Sequence, residues 1–188
     1  MRIIRGIWAS QPLTSPGRRV RPTQEAVRDA WLNYLSAELA GARILDLFAG
    51  SGSLGLEALS RGAASVDFVD NSGDALHALK ANVAKHKLRP PKGKPRPAGT
   101  KSKSARIFKQ DAIPFVSRLG PNAYDLAFAD PPYGSRKLDR ILERWQSEPF
   151  APVLCIEHAP EHPLPQGEHQ LSFDASVVTI YRRSPCLR

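Results

Sequence analysis

Short apolar runs alternate along the middle of the chain with longer segments of helical periodicity. From residue 43 onward, the apolar runs predict five strands, at residues 43–48, 65–70, 105–111, 124–130 and 153–158. The helical segments lie between them, at residues 53–62, 74–87, 112–119 and 136–147. Because strands that alternate with helices usually pair in parallel, this pattern predicts an α/β fold with a doubly wound sheet and helices on both faces.

The two ends of the chain depart from this alternation. Residues 169–183 contain two β-rich halves with no helix between them, which predicts an antiparallel pair and a mixed, mostly parallel seven-stranded sheet. At the start, "RIIRGIW" alternates loosely and predicts a strand, within a small N-terminal extension made of a β-hairpin and a helix. Residues 24–39 carry an apolar stripe of helical spacing, and Thr23 is a suitable N-cap for that helix.

Length and composition predict a single domain over residues 1–188, of which residues 1–22 form a basic extension. No apolar run approaches the roughly 20 residues that cross a membrane, and the N-terminus is too charged for a secretory signal, so we expect a cytoplasmic protein. The two cysteines do not predict a disulfide framework. Cys155 lies in the apolar run "VLCI", and we expect it in the core.

The formal net charge of +9 predicts an anionic partner, most commonly a nucleic acid, although solubility also explains surface charge. Ten Lys and Arg residues and no acid lie between Lys85 and Lys109. Residues 89–105 are rich in Pro, Gly, Ser and Lys, which predicts a flexible basic loop that contacts phosphates without reading sequence. The cations expected to bind nucleic acid are Arg2, Arg5, Arg18, Arg19, Arg21, Lys92, Lys94 and Arg96.

A glycine-rich segment, "DLFAGSGSLG", follows the first strand of the predicted sheet. Gly50, Gly52 and Gly55 match G-x-G-x-x-G at the start of a helix, a pattern typical of a nucleoside cofactor site. NAD would place its pyrophosphate on the helix N-terminus. S-adenosylmethionine has no phosphate and carries a cationic amino group, which would suit a carboxylate close to the loop. The pattern alone also fits a loop that only packs.

Four aspartates follow or end consecutive predicted strands, where ligands bind in open α/β sheets. One such aspartate often only caps a helix, but four would line one edge of the sheet. Asp46 suits an amino group, Asp70 a ribose diol and Asp111 an adenine amine. The cofactor-binding residues expected from these segments are Asp46, Phe48, Ala49, Gly50, Gly52, Asp70, Asn71, Asp111 and Ala112, with Thr23 from the N-terminal segment.

The fourth predicted strand ends in "ADPPYG", which is stiff because each proline fixes its own φ and restricts the residue before it. Asp130, Pro131 and Pro132 would present only acceptors, since proline has no N–H. Tyr133 adds a flat ring for stacking. Such a segment suits a planar group with an NH₂, such as a nucleobase amine, and these four residues are the predicted catalytic set. A rigid turn without a ligand is the alternative.

The chain resembles bacterial RsmD-type guanine-N2 methyltransferases of 16S rRNA. The resemblance rests on "MRIIRGIW", "RPTQEAVRDAWLNYL" (21–35), "LDLFAGSGSLGLEALSRGA" (45–63) and "DPPYG" (130–134). It implies a Rossmann-like class I methyltransferase fold, S-adenosylmethionine as cofactor, and transfer to guanine N2, at position 966 in this family. It also implies the small ribosomal subunit or its assembly intermediate as partner, a monomer without metal or membrane, and Thr23 closing over the methionine end of the cofactor.

Two features depart from the family pattern or leave the function open. Residues 89–105 look like an insertion, so the details of RNA docking are open. The Asp-Pro-Pro-Tyr segment also occurs in DNA amino-methyltransferases, which remain an alternative. An NAD-dependent oxidoreductase would leave that segment unexplained, and a noncatalytic RNA-binding module would leave the strand-end aspartates unexplained.

Overall fold

The computed structural model describes residues 1–15, 24–90, 103–132 and 134–183. Within these ranges the chain forms one seven-stranded sheet in the order β3-β2-β1-β4-β5-β7-β6. The strands are β1 (Arg43–Leu47), β2 (Ser65–Asp70), β3 (Ser104–Lys109), β4 (Leu126–Ala129), β5 (Val153–His158), β6 (His169–Phe173) and β7 (Ser176–Arg182). Strands β1 to β5 pair in parallel and β6 and β7 are antiparallel, which confirms the predicted mixed sheet.

Helices cover both faces of this sheet. They are α1 (Glu25–Tyr34), α2 (Ser36–Leu39), α3 (Ser53–Ser60), α4 (Gly73–Lys85), α5 (Ala112–Val116) and α6 (Lys137–Ser147). One core cluster joins the sheet to α1, α3 and α4, and a second joins the opposite face to α5 and α6. In the part of the chain that the structure covers, no helix is both long and apolar enough to cross a bilayer.

The order of the central strands brings the glycine loop and the Asp-Pro-Pro segment together. Strand β4 lies directly beside β1, with Asp46 in register with Phe128 and Leu47 with Ala129. Because both strands run in the same direction, the segments that follow them leave the sheet side by side. The glycine loop and the Asp-Pro-Pro segment therefore meet at the same edge of the sheet.

Most predicted elements form within a few residues of the expected bounds, with local differences. The predicted helix over residues 24–39 is divided at Leu35 into α1 and α2. The third and fourth strands end at Lys109 and Ala129, so Asp111 and Asp130 lie just beyond them. Cys155 is fully buried within β5, as expected, and burial raises the pKa of its thiol to about 12.

The N-terminal segment folds back on itself as the expected hairpin, in which residues 1–3 bond to residues 10–13, although no regular strand forms. A single antiparallel bridge joins Arg2 to Pro12, and a short 3₁₀ helix spans Gly6–Trp8 between them. Glu57 of α3 holds this turn, because its carboxylate accepts the N–H groups of Ile4 and Arg5 at 2.7 and 2.8 Å. Beyond the paired residues, the backbone N–H groups thus bond to a buried side chain.

Candidate functional site

The glycine loop turns sharply between β1 and α3. Gly50 and Gly52 have φ values of 57° and 78°, which glycine adopts without steric cost. A Cβ on Gly52 would lie 2.4 Å from Leu79 Cδ1, and one on Gly55 would lie 2.5 Å from Phe68 Cε1. Both positions therefore exclude any larger residue. Gly55 lets α3 approach the sheet closely, as the motif predicts.

Asp46 lies beneath this loop and not at the rim of the sheet. It is the fourth residue of β1, is 2% exposed, and accepts the N–H of Gly55 through Oδ2 at 3.0 Å. Burial, together with the nearby charges of Asp130 and Asp70, raises the pKa of its carboxyl to about 8. The three aspartates are thus close enough to interact, and a cationic group would relieve their repulsion.

Asp70 ends β2 and holds the first turn of the glycine loop. One of its oxygens accepts the N–H of Gly50 at 2.8 Å, and the other accepts the N–H of Ser72 at 2.8 Å. Ala49 lies in the same turn, where its N–H donates to the carbonyl of Val69 at 3.2 Å. Each carboxylate oxygen keeps a second lone pair for a ligand hydroxyl.

A second cluster forms around Asp111, which caps α5 by accepting the N–H of Ile113 at 3.0 Å. The amide of Asn71 donates to the other oxygen of Asp111 at 3.4 Å. The ammonium of Lys137 contacts that same oxygen and lies 5.9 Å from the ring centroid of Phe48. The hydrogen bond from Lys137 is the main reason that the pKa of Asp111 is lowered.

This cluster brings together residues from three loops that were predicted separately. Ala112, the first residue of α5, is buried beside it. Sequence reasoning missed Lys137, since nothing in the pattern distinguishes it from the neighbouring Arg136. The contact with Asp111 depends on α6 packing beside α5, the helix that Asp111 caps, which is a tertiary feature.

The Asp-Pro-Pro segment begins directly after β4. The N–H of Asp130 faces the carbonyl of Leu47 at 3.5 Å, which ties the segment to the end of β1. Pro131 is buried and Pro132 is exposed. Tyr133, predicted as the stacking ring, lies outside the described residues. The segment borders the carboxyl end of β5, and one cleft is lined by both prolines, Glu157 and His158.

Glu157 is a site residue that sequence reasoning missed. It occupies the carboxyl end of β5 and is 4% exposed. The rule that selected the four strand-end aspartates also selects this acid, because the run "VLCIEH" places it at the end of the fifth predicted strand. Asp46, Asp130 and Glu157 thus lie at or near the carboxyl ends of three adjacent strands, β1, β4 and β5.

The structure covers two of the cations expected to bind nucleic acid. Arg2 and Arg5 are exposed, but both form ion pairs with acidic residues of α1. Arg2 pairs with Glu25 at 3.5 Å, and Arg5 pairs with Asp29 at 2.7 Å. The predicted residues outside the described ranges are Thr23, Arg18, Arg19, Arg21, Lys92, Lys94 and Arg96. The predicted basic loop over 89–105 is described only at its ends, where Arg89 bridges to Ser104.

The chain matches known proteins over most of its length. Residues 1–172 match a family model described as Conserved hypothetical protein 95. Ribosomal RNA small subunit methyltransferase D of Haemophilus influenzae is 33% identical, with 97% of this chain and 92% of the relative covered. The protein of the same name from Escherichia coli strain K12 is 30% identical, with 88% and 78% covered.

A solved structure agrees with this match. The Escherichia coli protein yhhF is 29% identical and superposes with a TM-score of 0.77 over 97% of both chains. The agreement confirms the Rossmann-like fold that the resemblance implied. On the strength of the family model and the two relatives, this chain belongs to the RsmD-type family of ribosomal RNA methyltransferases.

Proposed function

We propose that this protein transfers a methyl group from S-adenosylmethionine to the exocyclic N2 of a guanine in 16S rRNA, the guanine at position 966 in family terms. The observation that carries the proposal is the neighbourhood of β1 and β4. It brings the glycine loop, where a cofactor would bind, beside the Asp-Pro-Pro segment, where an amine would bind. The names of the relatives support rRNA of the small subunit as the substrate class.

The residues around the glycine loop fit S-adenosylmethionine better than a dinucleotide. Asp46, Asp70 and Asp111 supply acceptors, whereas a pyrophosphate would meet three carboxylates. We assign Asp46 to the ammonium group, Asp70 to the ribose diol, and Asp111 to the adenine amine. Phe48, Ala49, Gly50, Gly52, Asn71 and Ala112 would surround the cofactor, and Thr23 would close over its methionine end.

Asp130 and the carbonyl of Pro131 would grip the two N–H bonds of the guanine amine. Held this way, the nitrogen becomes pyramidal and its lone pair points toward the glycine loop. When bound, S-adenosylmethionine would supply a methyl group on a sulfonium, and transfer of that methyl from sulfur to the amine nitrogen would leave S-adenosylhomocysteine. Asp130 stabilises the positive charge that grows on nitrogen and can accept the proton that the amine then loses. Pro132 keeps the segment stiff, and Tyr133 would stack on the base.

The net charge of +9 favours this substrate over small molecules. Arg2, Arg5, Arg18, Arg19, Arg21, Lys92, Lys94 and Arg96 are the proposed phosphate contacts. Arg2 and Arg5 would share their guanidinium groups between a phosphate and their carboxylate partners. We expect a monomer that acts in the cytoplasm on the small subunit or its assembly intermediate.

Transfer of labelled methyl groups tests the proposal. Small subunits from a bacterial strain that lacks its own enzyme are incubated with the purified protein and methyl-labelled S-adenosylmethionine. We expect label in 16S rRNA, with N2-methylguanine at a single mapped position. Subunits from the parent strain, already methylated, serve as the control and should take up little label. Label on another base or in DNA would refute the guanine assignment.

A binding measurement separates the cofactor from the substrate. S-adenosylmethionine should raise the melting temperature of the purified protein in a concentration-dependent way. NAD should not raise it. The reverse result would refute the cofactor assignment whatever the methylation assay yields.

A further inference from the structure

The acceptor side of the site contains two neighbouring carboxylates. Ala129 of β4 is in register with Ile156 of β5, so the next residue on each chain segment, Asp130 and Glu157, occupies adjacent positions at this edge. Adjacent parallel strands lie about 4.8 Å apart. Glu157 is on the side of Asp130 that faces away from β1 and the glycine loop.

Both carboxylates lie on the same face of the sheet. Phe128 and Cys155 are register partners and belong to one core cluster, the cluster beneath α1 and α3. Side chains alternate between faces along a strand, so the residues two positions later, Asp130 and Glu157, share that face. Asp46 shares it too, since it is in register with Phe128 and bonds to α3.

Glu157 is buried to a degree that is unusual for a glutamate. Its exposed fraction is 4%, and it lines the cleft that also contains Pro131 and Pro132. Burying a carboxylate is costly unless it is paired and hydrogen-bonded, but its two oxygens offer about four acceptor positions, so a carboxylate that already has a protein contact can still accept a ligand N–H. Because Glu157 lies next to Asp130 at this edge, the ligand concerned is the target base and not the cofactor.

We propose that Glu157 accepts the N1–H of the target guanine and thereby selects guanine among the purines that carry an exocyclic amine. The inference rests on the proposed function. Guanine presents adjacent donors at N1 and N2 on its Watson–Crick edge, and a carboxylate can only accept. With N2 held by Asp130, N1 faces the next strand, which is β5. Adenine and 2,6-diaminopurine have an acceptor at N1 instead. The lone pair of that nitrogen would face the carboxylate oxygens of Glu157 and be repelled by them.

The experiment compares two bases at one position. The methylated nucleotide is first mapped, and 16S rRNA is then assembled by ligation with either guanine or 2,6-diaminopurine there and reconstituted into subunits. Both bases carry the N2 amine, and they differ at N1. Initial rates of methyl transfer give kcat/KM for the native protein, for Glu157→Gln, and for Glu161→Gln, an exposed carboxylate in the following loop.

The native protein should prefer guanine by at least about tenfold, because the carboxylate of Glu157 and the N1 lone pair of the analogue repel each other. Glu157→Gln should lower that preference at least about tenfold, because its amide can donate to the N1 of 2,6-diaminopurine. Glu161→Gln should methylate both bases at the rates of the native protein. Equal rates on the two bases with the native protein would overturn the proposal. This measurement uses the native protein alone, so it does not depend on whether a variant folds.

An equal fall in the two rates of methyl transfer would also overturn the proposal. If Glu157→Gln lowers both rates by the same factor, the residue only supports the Asp-Pro-Pro segment. Failure of the proposed function looks different, because the native protein would then leave unmodified subunits with guanine unlabelled.

Discussion

Asp46 accepts the backbone N–H of Gly55 at 3.0 Å, and this bond joins the end of β1 to the first turn of α3 across the floor of the glycine loop. The carboxylate and the glycine depend on each other. A Cβ on Gly55 would lie 2.8 Å from the same oxygen, so only glycine leaves room for the bond. The loop that would hold the cofactor is therefore built on a buried carboxyl.

Replacing Asp46 should change how stability depends on pH. Burial raises the pKa of Asp46 to about 8, whereas the unfolded chain loses this proton near pH 4. Between about pH 4 and about pH 8 the folded state holds a proton that the unfolded state has released, so the free energy of unfolding falls as pH rises. Asp46→Asn keeps an acceptor for Gly55 and removes this titration.

Urea denaturation of both proteins without ligand at several pH values measures the difference. The free energy of unfolding of Asp46→Asn minus that of the native protein should increase up to about pH 8, by at most a few kcal/mol. Asp174→Asn, an exposed change in the turn between β6 and β7, should show no such trend. A difference that stays constant with pH would contradict the raised pKa.

Gly55→Ala should destabilise the fold and weaken cofactor binding. The new methyl would approach Phe68 Cε1 at 2.5 Å and Val66 Cγ1 at 2.8 Å, and such overpacking costs about 1–3 kcal/mol. Gly73→Ala at the start of α4 is the matched control, because nothing lies within 4 Å of its Cβ. In thermal unfolding with and without S-adenosylmethionine, the melting temperature of Gly73→Ala should equal or exceed that of the native protein. A Gly55→Ala protein as stable as Gly73→Ala would refute the close packing.

Asp130→Ala should separate chemistry from cofactor binding. Asp130 lies on the side of the site that the base would occupy, so its loss should lower methyl transfer to 16S rRNA at least about 10²-fold. The rise in melting temperature with S-adenosylmethionine should remain, because the glycine loop and its bond to Asp46 are unchanged. Near-native transfer by the variant would remove Asp130 from the mechanism.

Glu57→Gln should loosen the N-terminal turn and destabilise the whole domain. Its carboxylate accepts two backbone N–H groups of that turn and lies 3.6 Å from the guanidinium of Arg28, both side chains being fully buried. Removing one partner of a buried ion pair costs about 3–5 kcal/mol. Glu25→Gln, which breaks the exposed pair with Arg2, should cost less than about 1 kcal/mol. If urea denaturation shows similar losses in the free energy of unfolding for Glu57→Gln and Glu25→Gln, the buried contacts of Glu57 do not stabilise the fold more than the exposed pair does.

Much of the site was predictable because it follows strand ends. The alternation of apolar runs and helices indicated where each parallel strand would stop, and ligands in such sheets bind beyond those stops. Asp70 and Asp111 are found at the edge where this rule expects them. The same rule, applied to one more strand, would have included Glu157.

Three features follow from local sequence, namely the strand-helix alternation, the glycines that only a tight loop tolerates, and the stiffness of the Asp-Pro-Pro segment, because periodicity and backbone restriction act over a few residues. The burial of the carboxyls and the contacts between distant groups follow from the tertiary structure. Asp46 is covered by α3, Lys137 reaches Asp111 from α6, and Asp130 gains Glu157 as a neighbour. These relationships depend on the strand order and on how helices cross the sheet, which no single segment encodes.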